Sequence, residues 1–361
     1  MKLIHCADLH LDSRMGTHLP PEKARARRQE ILRTFERMVD YAAETGVQAI
    51  LIAGDLFDTK AISAGTKNVV LSRIANHSDI RFYYLRGNHD RDNFLTGLDS
   101  IPENLKLFSD TWQVYEEGRV RIAGIELEHA DPGAVYASLV LPADTFNIVM
   151  LHGEETESGS RDKAEIINLR ALRGKQIDYL ALGHIHAPKT EKLDARGIYC
   201  YPGCLEGRGF DECGPHGFML LDIPDGGEMT QTFVPFAYRT LHALLTDISG
   251  CLTSFEIGRK IDEKILAENI PEKDLLRVIL TGQVDVNCEK NLAYLSSRLS
   301  RFYYAEVQDA SEPVVRFEDY ANDRSLKGEF FRTVMADASL SEQERLKILE
   351  IGFGTLAGEE P

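Results

Sequence analysis

The chain has 361 residues, enough for two or three domains with a real core, and its 43% hydrophobic and 27% charged content is that of an ordinary soluble globular protein. A formal charge of −16 argues against a protein that coats nucleic acid non-specifically, while leaving room for a local basic groove or an anionic substrate held through metal ions. No apolar run approaches the ~18 residues of a membrane span and the N-terminus enters a strand directly, so no membrane partner and no secretory signal are expected, and the expected location is cytoplasmic.

The six cysteines, Cys6, Cys200, Cys204, Cys213, Cys251 and Cys288, show no disulfide framework, which fits a reducing compartment. Cys200, Cys204, Cys213 and His216 match no common zinc spacing, and the cysteines read as small core residues.

Lys2 to Ala7 reads as a first strand, with Asp8 and His10 at its end. In extended chain, residues two apart point the same way, so both can face one ion. Taken alone, Asp-x-His reads more simply as a solvated strand end. Residues 21–45 carry Ile31, Phe35, Met38, Val39 and Ala42 at helical spacing, and Gly46 supplies the stop. Lys23, Arg25, Arg27 and Arg28 read as the solvated face of that helix, with a DNA-facing role as the alternative.

The apolar run Val47 to Ile52 is a buried strand, followed by Ala53-Gly54-Asp55-Leu56-Phe57-Asp58. Open α/β sheets bind ligands just past such strand ends. Gly-Asp is also a common turn pair, and what favours metal chemistry is the company Asp55 keeps. Ser63 to Asn76 reads as a helix, and Ile80 to Leu85 as a strand ending in Gly87-Asn88-His89-Asp90. Shorter strands are expected around Trp112 to Val114 and Val120 to Ile125. Phe146 to Leu151 ends in His152-Gly153, and Ile177 to Leu182 ends in Gly183-His184-Ile185-His186. His10, His89, His152, His184 and His186 thus fall at strand ends, whereas His5, His18, His77, His129, His216 and His242 read as structural.

Asp8, His10, Asp55, Asn88, His152, His184 and His186 form a candidate ligand set for two divalent ions bridged by Asp55. Hard oxygens with imidazole suit manganese, iron or zinc, and magnesium is a further candidate. Two cations ~4 Å apart can generate a metal-bridged hydroxide and clamp a phosphoester for in-line displacement. His89, beside a ligand, is placed to protonate the leaving oxygen or stabilise charge on the phosphate. No P-loop and no G-x-S-x-G motif is present.

Ala-Asp-Leu-His-Leu-Asp (7–12), Gly-Asp-Leu-Phe-Asp-Thr (54–59), Gly-Asn-His-Asp (87–90), Leu-His-Gly (151–153), Gly-His-Ile-His (183–186) and Tyr-Pro-Gly (201–203) occur in this order. With them the chain resembles the calcineurin-like metallophosphoesterases. Within that group it is most similar to the nuclease subunits of DNA double-strand-break repair complexes, of SbcD type and most nearly YhaO-like. The resemblance implies an α/β fold, a four-layer α/β/β/α sandwich, with a small α+β cap domain and C-terminal helices. It also implies that Asp8, His10, Asp55 and His186 hold one metal and Asp55, Asn88, His152 and His184 the other, with manganese preferred and His89 catalytic. Two departures stand out: some relatives carry histidine where this chain has Asp58, and Ile62-Ser63 replaces a frequent Pro-Ser pair ahead of a helix that is a dimer element in relatives.

Gly217 to Ile223 and Gln231 to Val234 read as closing strands. A strand (Leu241 to Asp247) then leads to a helix opened by a capping box, Thr253 to Glu256. Strand, helix and strand follow (Leu275 to Val284, Glu289 to Leu299, Phe302 to Val307), a βαβαβ unit long enough for a separate domain. The expected division is a nuclease domain over 1–236, a cap over 237–310 and a helical partner-binding segment over 311–361. In that segment Leu346, Leu349, Phe353 and Leu356 make a narrow apolar stripe, which either packs on the chain itself or, as in relatives, grips an SMC-like (SbcC-type) ATPase. The expected activity is a manganese-dependent DNA nuclease, an exonuclease in break repair, with DNA and the ATPase as partners and homodimerisation possible in principle. The alternatives are a phosphodiesterase or phosphatase on a small nucleotide or other phosphoester, and a non-catalytic DNA-end tether.

Overall fold

The computed structural model describes residues 1–15, 19–58, 62–90, 95, 100–127, 134–157, 166–226, 228–314, 320 and 322–357. Thr59, His18 and His129 lie outside the described residues. The chain forms two compact units, Met1–Thr240 and Leu241–Pro361.

In chain order the first unit contains β1 (Lys2–Cys6), α1 (Pro21–Glu44), β2 (Ala49–Ala53), α2 (Ala64–Asn76), β3 (Arg81–Leu85), β4 (Leu105–Leu107), β5 (Gln113–Glu117), β6 (Val120–Gly124) and β7 (Phe146–His152). It continues with β8 (Glu154–Thr156), β9 (Ile166–Asn168), α3 (Leu169–Leu172), β10 (Tyr179–Gly183), β11 (Lys189–Lys192), β12 (Ile198–Tyr201), β13 (Gly217–Asp222) and β14 (Thr230–Pro235). Two six-stranded sheets result, ordered β14-β13-β1-β2-β3-β4 and β11-β12-β10-β7-β6-β5. Strands β1, β2, β3 and β4 run parallel, and so do β6, β7, β10 and β12.

Alternation along each strand explains the uninterrupted apolar runs. Leu3, Leu51 and Tyr83 point into the layer between the sheets, where they meet Ile148, Met150 and Ala181. Ile4, Ile50, Ile52 and Phe82 point the other way and are covered by Ile31, Phe35, Met38 and Val39 of α1 and Val70 and Ile74 of α2. Strands buried on both faces leave no position for polar alternation. On the outer side of the second sheet, Val149, Leu151, Leu180 and Leu182 are covered by Val135, Leu139 and Leu141 and by the single-turn α3. The sandwich is therefore α/β/β/α, with a thin fourth layer among the described residues.

Two readings of the helices change. Arg27 is not part of a solvated face: it is fully buried, on the same side of α1 as Ile31 and Thr34. It pairs with Glu206 at 3.0 Å and with Glu30 at 2.8 Å, and it donates to the carbonyl of Gly207 at 2.9 Å. Helix α2 needs no proline before it, because Ser63 caps it through Thr66 and Asp12 accepts from both Ser63 N (2.7 Å) and Thr66 Oγ1 (2.7 Å).

The second unit contains β15 (Leu241–Asp247), α4 (Ser254–Ala267), β16 (Leu275–Thr281), β17 (Gln283–Asp285), α5 (Leu292–Arg298), β18 (Tyr304–Asp309) and β19 (Glu312–Val314), then helices Leu326–Ala336 and Glu342–Ala357. Its three-stranded parallel sheet, β15-β16-β18, carries α4 and α5 on one face around Ile257, Ile261, Val278 and Leu295. The capping box at Thr253 and Glu256 is formed. The terminal helices share a core of Tyr320, Phe331, Val334, Leu349 and Phe353 with Val286, so half of the apolar stripe packs inside this unit. Ile351 and Leu356 stay 50% and 41% exposed. No helix among the described residues is long and apolar enough to cross a membrane.

Candidate metal centre

The ends of β1, β2 and β3 in one sheet and of β7 and β10 in the other carry the candidate residues to one place. Sheet registers bring the strand ends level, pairing Ala53 with Leu85 and His152 with Gly183. Asp8 and His10 do not reach the site as alternate residues of extended chain. Both are left-handed, at φ 53° and 46°, as is Asp55 at 52°, and their loop runs beside the β2 turn. Asp8 N donates to Gly54 O (3.1 Å) and His10 N to Asp55 O (3.0 Å). Left-handed backbone at non-glycine residues costs energy, and it collects where a site needs side chains aimed against the local trend. His184, at φ 107°, departs from extended geometry in the same way.

Close approach also dictates two glycines. A Cβ on Gly54 would lie 2.1 Å from His152 Nδ1, and one on Gly87 would lie 2.1 Å from Asp55 Oδ1. Neither position admits a side chain.

The residues form two adjoining groups. Asp8, His10 and His186 make one, with His10 Nε2 3.2 Å from His186 Nε2. Asp8, Asp55 and His152 make the other, with His152 Nε2 3.4 Å from Asp55 Oδ2 and 3.0 Å from Asn88 Oδ1. Asp55 Oδ2 is also 3.9 Å from His10 Nε2, so its carboxylate lies between the groups. The backbone N–H of His184 donates to both Asp8 oxygens at 3.0 Å, and its ring stands edge-on to His152 with centroids 5.4 Å apart. His89 donates its backbone N–H to Asp55 Oδ1 at 2.9 Å, and its side chain is 45% exposed.

Each inward-facing imidazole is held from behind. His152 Nδ1 donates to Ala53 O at 2.9 Å and His186 Nδ1 to Glu212 Oε1 at 2.7 Å, which turns Nε2 of each ring toward the site. His10 Nδ1 lies 3.1 Å from Asp58 Oδ1, off the line of a hydrogen bond. Such partners fix the tautomer that a metal ligand needs. Asp90 accepts from Leu56 N (3.1 Å), Phe57 N (2.8 Å) and Gly87 N (3.1 Å), tying the Asp55 and Asn88 loops together. Tyr201 donates to Gly153 O (2.8 Å) and accepts from Glu155 N (3.0 Å), which anchors the turn after His152.

The electrostatics call for cations. Burial pushes the Asp8 carboxyl up in pKa, against the pull of His152. Burial acts the same way on Asp55, but His152 and His10 outweigh it and hold that carboxyl well below the usual range. Burial alone would lower His152; Asp55 overcomes this and raises it to about 9. Two carboxylates only 1% and 2% exposed, an amide oxygen and three inward-facing imidazole nitrogens form a mixed O/N donor set that fits divalent transition-metal ions.

Sequence reasoning missed Glu212, Arg208 and the roles of Asp90 and Asp58. Arg208 Nη2 donates to Glu212 Oε1 at 2.9 Å, and its Nη1 lies 3.4 Å from Asp58 Oδ1. The available signal was chemical: an imidazole ligand wants an acid behind it, and the glycine-rich stretch after Tyr-Pro-Gly offers three, Glu206, Asp211 and Glu212, with nothing in the sequence to choose among them. The four residues weighed for zinc do not assemble: Cys204 Sγ is 3.2 Å from His216 Nδ1, but Cys200 contacts Thr190 and Cys213 contacts Phe210 O.

An uncharacterized metallophosphoesterase of Bacillus subtilis, YhaO, is 29% identical over 245 residues, 63% of this chain and 58% of that one. The DNA double-strand break repair protein Mre11 of Methanopyrus kandleri is 23% identical over 290 residues, 72% of this chain and 62% of its own. The chain thus spans less than two thirds of the length of these two relatives. Mre11 of Sulfurisphaera tokodaii is 24% identical over 372 aligned residues, 97% of this chain and 92% of its own. The family model described as calcineurin-like phosphoesterase matches residues 1–188, a stretch that contains every candidate ligand. The chain belongs to the calcineurin-like phosphoesterase family, metal-dependent hydrolases of phosphoesters.

Proposed function

We propose that this protein is a manganese-dependent DNA nuclease, an exonuclease in double-strand-break repair. The observation that carries the phosphodiesterase chemistry is the Asp55 carboxylate, 3.4 Å from His152 Nε2 and 3.9 Å from His10 Nε2, between two sets of donors. The DNA substrate is supported by similarity to proteins described as DNA double-strand break repair Mre11, one of them matched across nearly the whole chain.

In this reading Asp8, His10, Asp55 and His186 hold one ion and Asp55, Asn88, His152 and His184 the other. Two bound cations would supply Lewis acidity to a phosphodiester and a nucleophilic water at neutral pH. His89, half exposed at the edge of the cluster, protonates the departing oxygen from its side chain. The backbone bond from His89 to Asp55 fixes where that ring starts.

The partner is an SMC-like ATPase bound by the terminal helices. Truncating 311–361 would remove Phe331, Leu349 and Phe353 from the second unit's own core and confuse unfolding with lost binding. Replacing the exposed Ile351 and Leu356 by serine is the cleaner probe, and unchanged ATPase binding would refute this surface.

The test of the nuclease reading is cleavage of end-labelled duplex DNA with manganese, magnesium or chelator, with and without the ATPase. Manganese-dependent shortening is expected. Turnover of a chromogenic phosphodiester without any cleavage of DNA would instead mark a small-substrate phosphodiesterase.

A further inference from the structure

We propose that Glu206 is a positioning residue for His186, and that through it the segment closing the first unit, Phe236 to Arg239, is coupled to one of the two ions. The inference rests on the two-ion reading above, in which His186 is a ligand.

The loop from Gly203 to Glu212 frames His186 at both ends. Gly203 is left-handed at φ 76°, and a Cβ there would lie 2.6 Å from His186 O. Cys204 N donates to that same oxygen at 3.1 Å. At the far end, Glu212 Oε1 receives His186 Nδ1 at 2.7 Å. The loop therefore sets both the main chain and the ring of His186. It carries glycine at 203, 207 and 209, so its own backbone supplies little stiffness. What holds it has to come from outside.

Glu206, in mid-loop, is that hold. Its side chain is fully buried. Oε2 receives Arg27 Nη2 at 3.0 Å and Oε1 receives Thr34 Oγ1 at 2.6 Å, while the same arginine nitrogen donates to Gly207 O at 2.9 Å. Arg27 and Thr34 stand two turns apart on α1, a helix packed along the first sheet through Ile31, Phe35 and Met38. A buried carboxylate with both oxygens engaged cannot shift without stranding a partner. The loop is thus pinned to a rigid element midway between its two grips on His186.

The closing segment is tied to the same parts. Glu206 Oε1 also receives Tyr238 N. Phe236 N and Ala237 N donate to His216 O at 2.8 and 3.1 Å, and His216 Nε2 donates in turn to Glu212 O at 2.8 Å. Arg239 pairs at 2.8 Å with Glu30, which holds Arg27 at 2.8 Å. A displacement of residues 236–239 is therefore felt by the loop that sets His186. His152 is held by Ala53 O instead, which leaves the other ion outside this network. Coupling between two sites is reciprocal, so an ion bound at His186 must also steady the closing segment.

The experiment uses the full chain, stripped with chelator and titrated with manganese, alone and as Glu206→Gln, which keeps the shape and turns an NH2 toward donors. Networks of this kind change affinity by about 2–30-fold. One of the two calorimetric steps should weaken by that factor and the other stay unchanged. In a Glu212→Gln background, Glu206→Gln should add little, because both act on one ring; fully additive losses, or two equally weakened steps, would overturn the role given to Glu206. A second readout needs no variant. Hydrogen exchange in peptides containing residues 236–239, followed by mass spectrometry, should slow when manganese is bound, and a merely structural Glu206 would leave it independent of the metal. Exchange unmoved by manganese would overturn the coupling. If the unaltered chain binds fewer than two ions, the two-ion reading falls and this inference with it; two ions bound without these effects overturn the inference alone.

Discussion

Replacing Glu212 by glutamine keeps the size of the side chain and removes its charge. Glu212 Oε1 receives His186 Nδ1 at 2.7 Å and Arg208 Nη2 at 2.9 Å, and Oε2 receives Arg208 N at 2.7 Å. An amide offers one acceptor oxygen and turns a donating NH2 toward what were donors, so at least one of these bonds is lost. His186, whose protonated form Glu212 favours over the opposing effect of burial, can then move its proton to Nε2. That nitrogen faces His10 Nε2 at 3.2 Å and is the one a metal needs bare. Loss of such a partner typically weakens a metal about 10–100-fold, and each decade is about 1.4 kcal/mol. Asp55, Asn88 and His152 contact one another without Glu212, so the second ion should keep its affinity. Stepwise calorimetric titration of chelator-stripped protein with manganese resolves the two. One weakened step beside one unchanged step is expected; two equally weakened steps, or none, would refute the assignment of Glu212 to His186.

His152, raised to about 9, carries a proton at neutral pH in the metal-free chain and must lose it to bind an ion. Manganese uptake at pH 7 should therefore release protons, seen as a dependence of the binding heat on the buffer's ionisation enthalpy; buffer-independent heats would contradict this. Because the folded pKa lies above the ordinary histidine value of 6.5, the His152–Asp55 contribution to metal-free stability is full below about 6.5 and is lost as pH rises through about 9, which urea unfolding in chelator would follow. Glu206→Ala leaves the buried Arg27 with only Glu30 and the Gly207 carbonyl, and should lower the urea midpoint at a cost of up to ~3 kcal/mol. Joint replacement of Arg27 by Met and Glu206 by Leu should recover most of that loss; a midpoint unmoved by Glu206→Ala would show that the pair contributes nothing.

The strands that position the site were legible because they are buried on both faces and read as unbroken apolar runs. Short strands such as β8 and β9 were not, since three residues carry no period. The residue types that gather at the candidate site were legible too, but the geometry behind them was not: Asp8 and His10 converge through left-handed backbone, which Asp-x-His does not announce. Arg27 looked like one more basic residue on a charged helix, and it is Glu206 and the Gly207 carbonyl, far along the chain, that with Glu30 make its burial tolerable. Glu212 and Arg208 escaped for the same reason. Their meaning lies in what they touch across the sandwich, and nothing in their immediate neighbours encodes it.

The most direct test of the account is a crystal of the protein soaked in manganese and measured at the metal's absorption edge. Two anomalous peaks about 3.5–4 Å apart, with the Asp55 carboxylate between them, are expected. A single peak, or two peaks with Asp55 outside both coordination spheres, would contradict it.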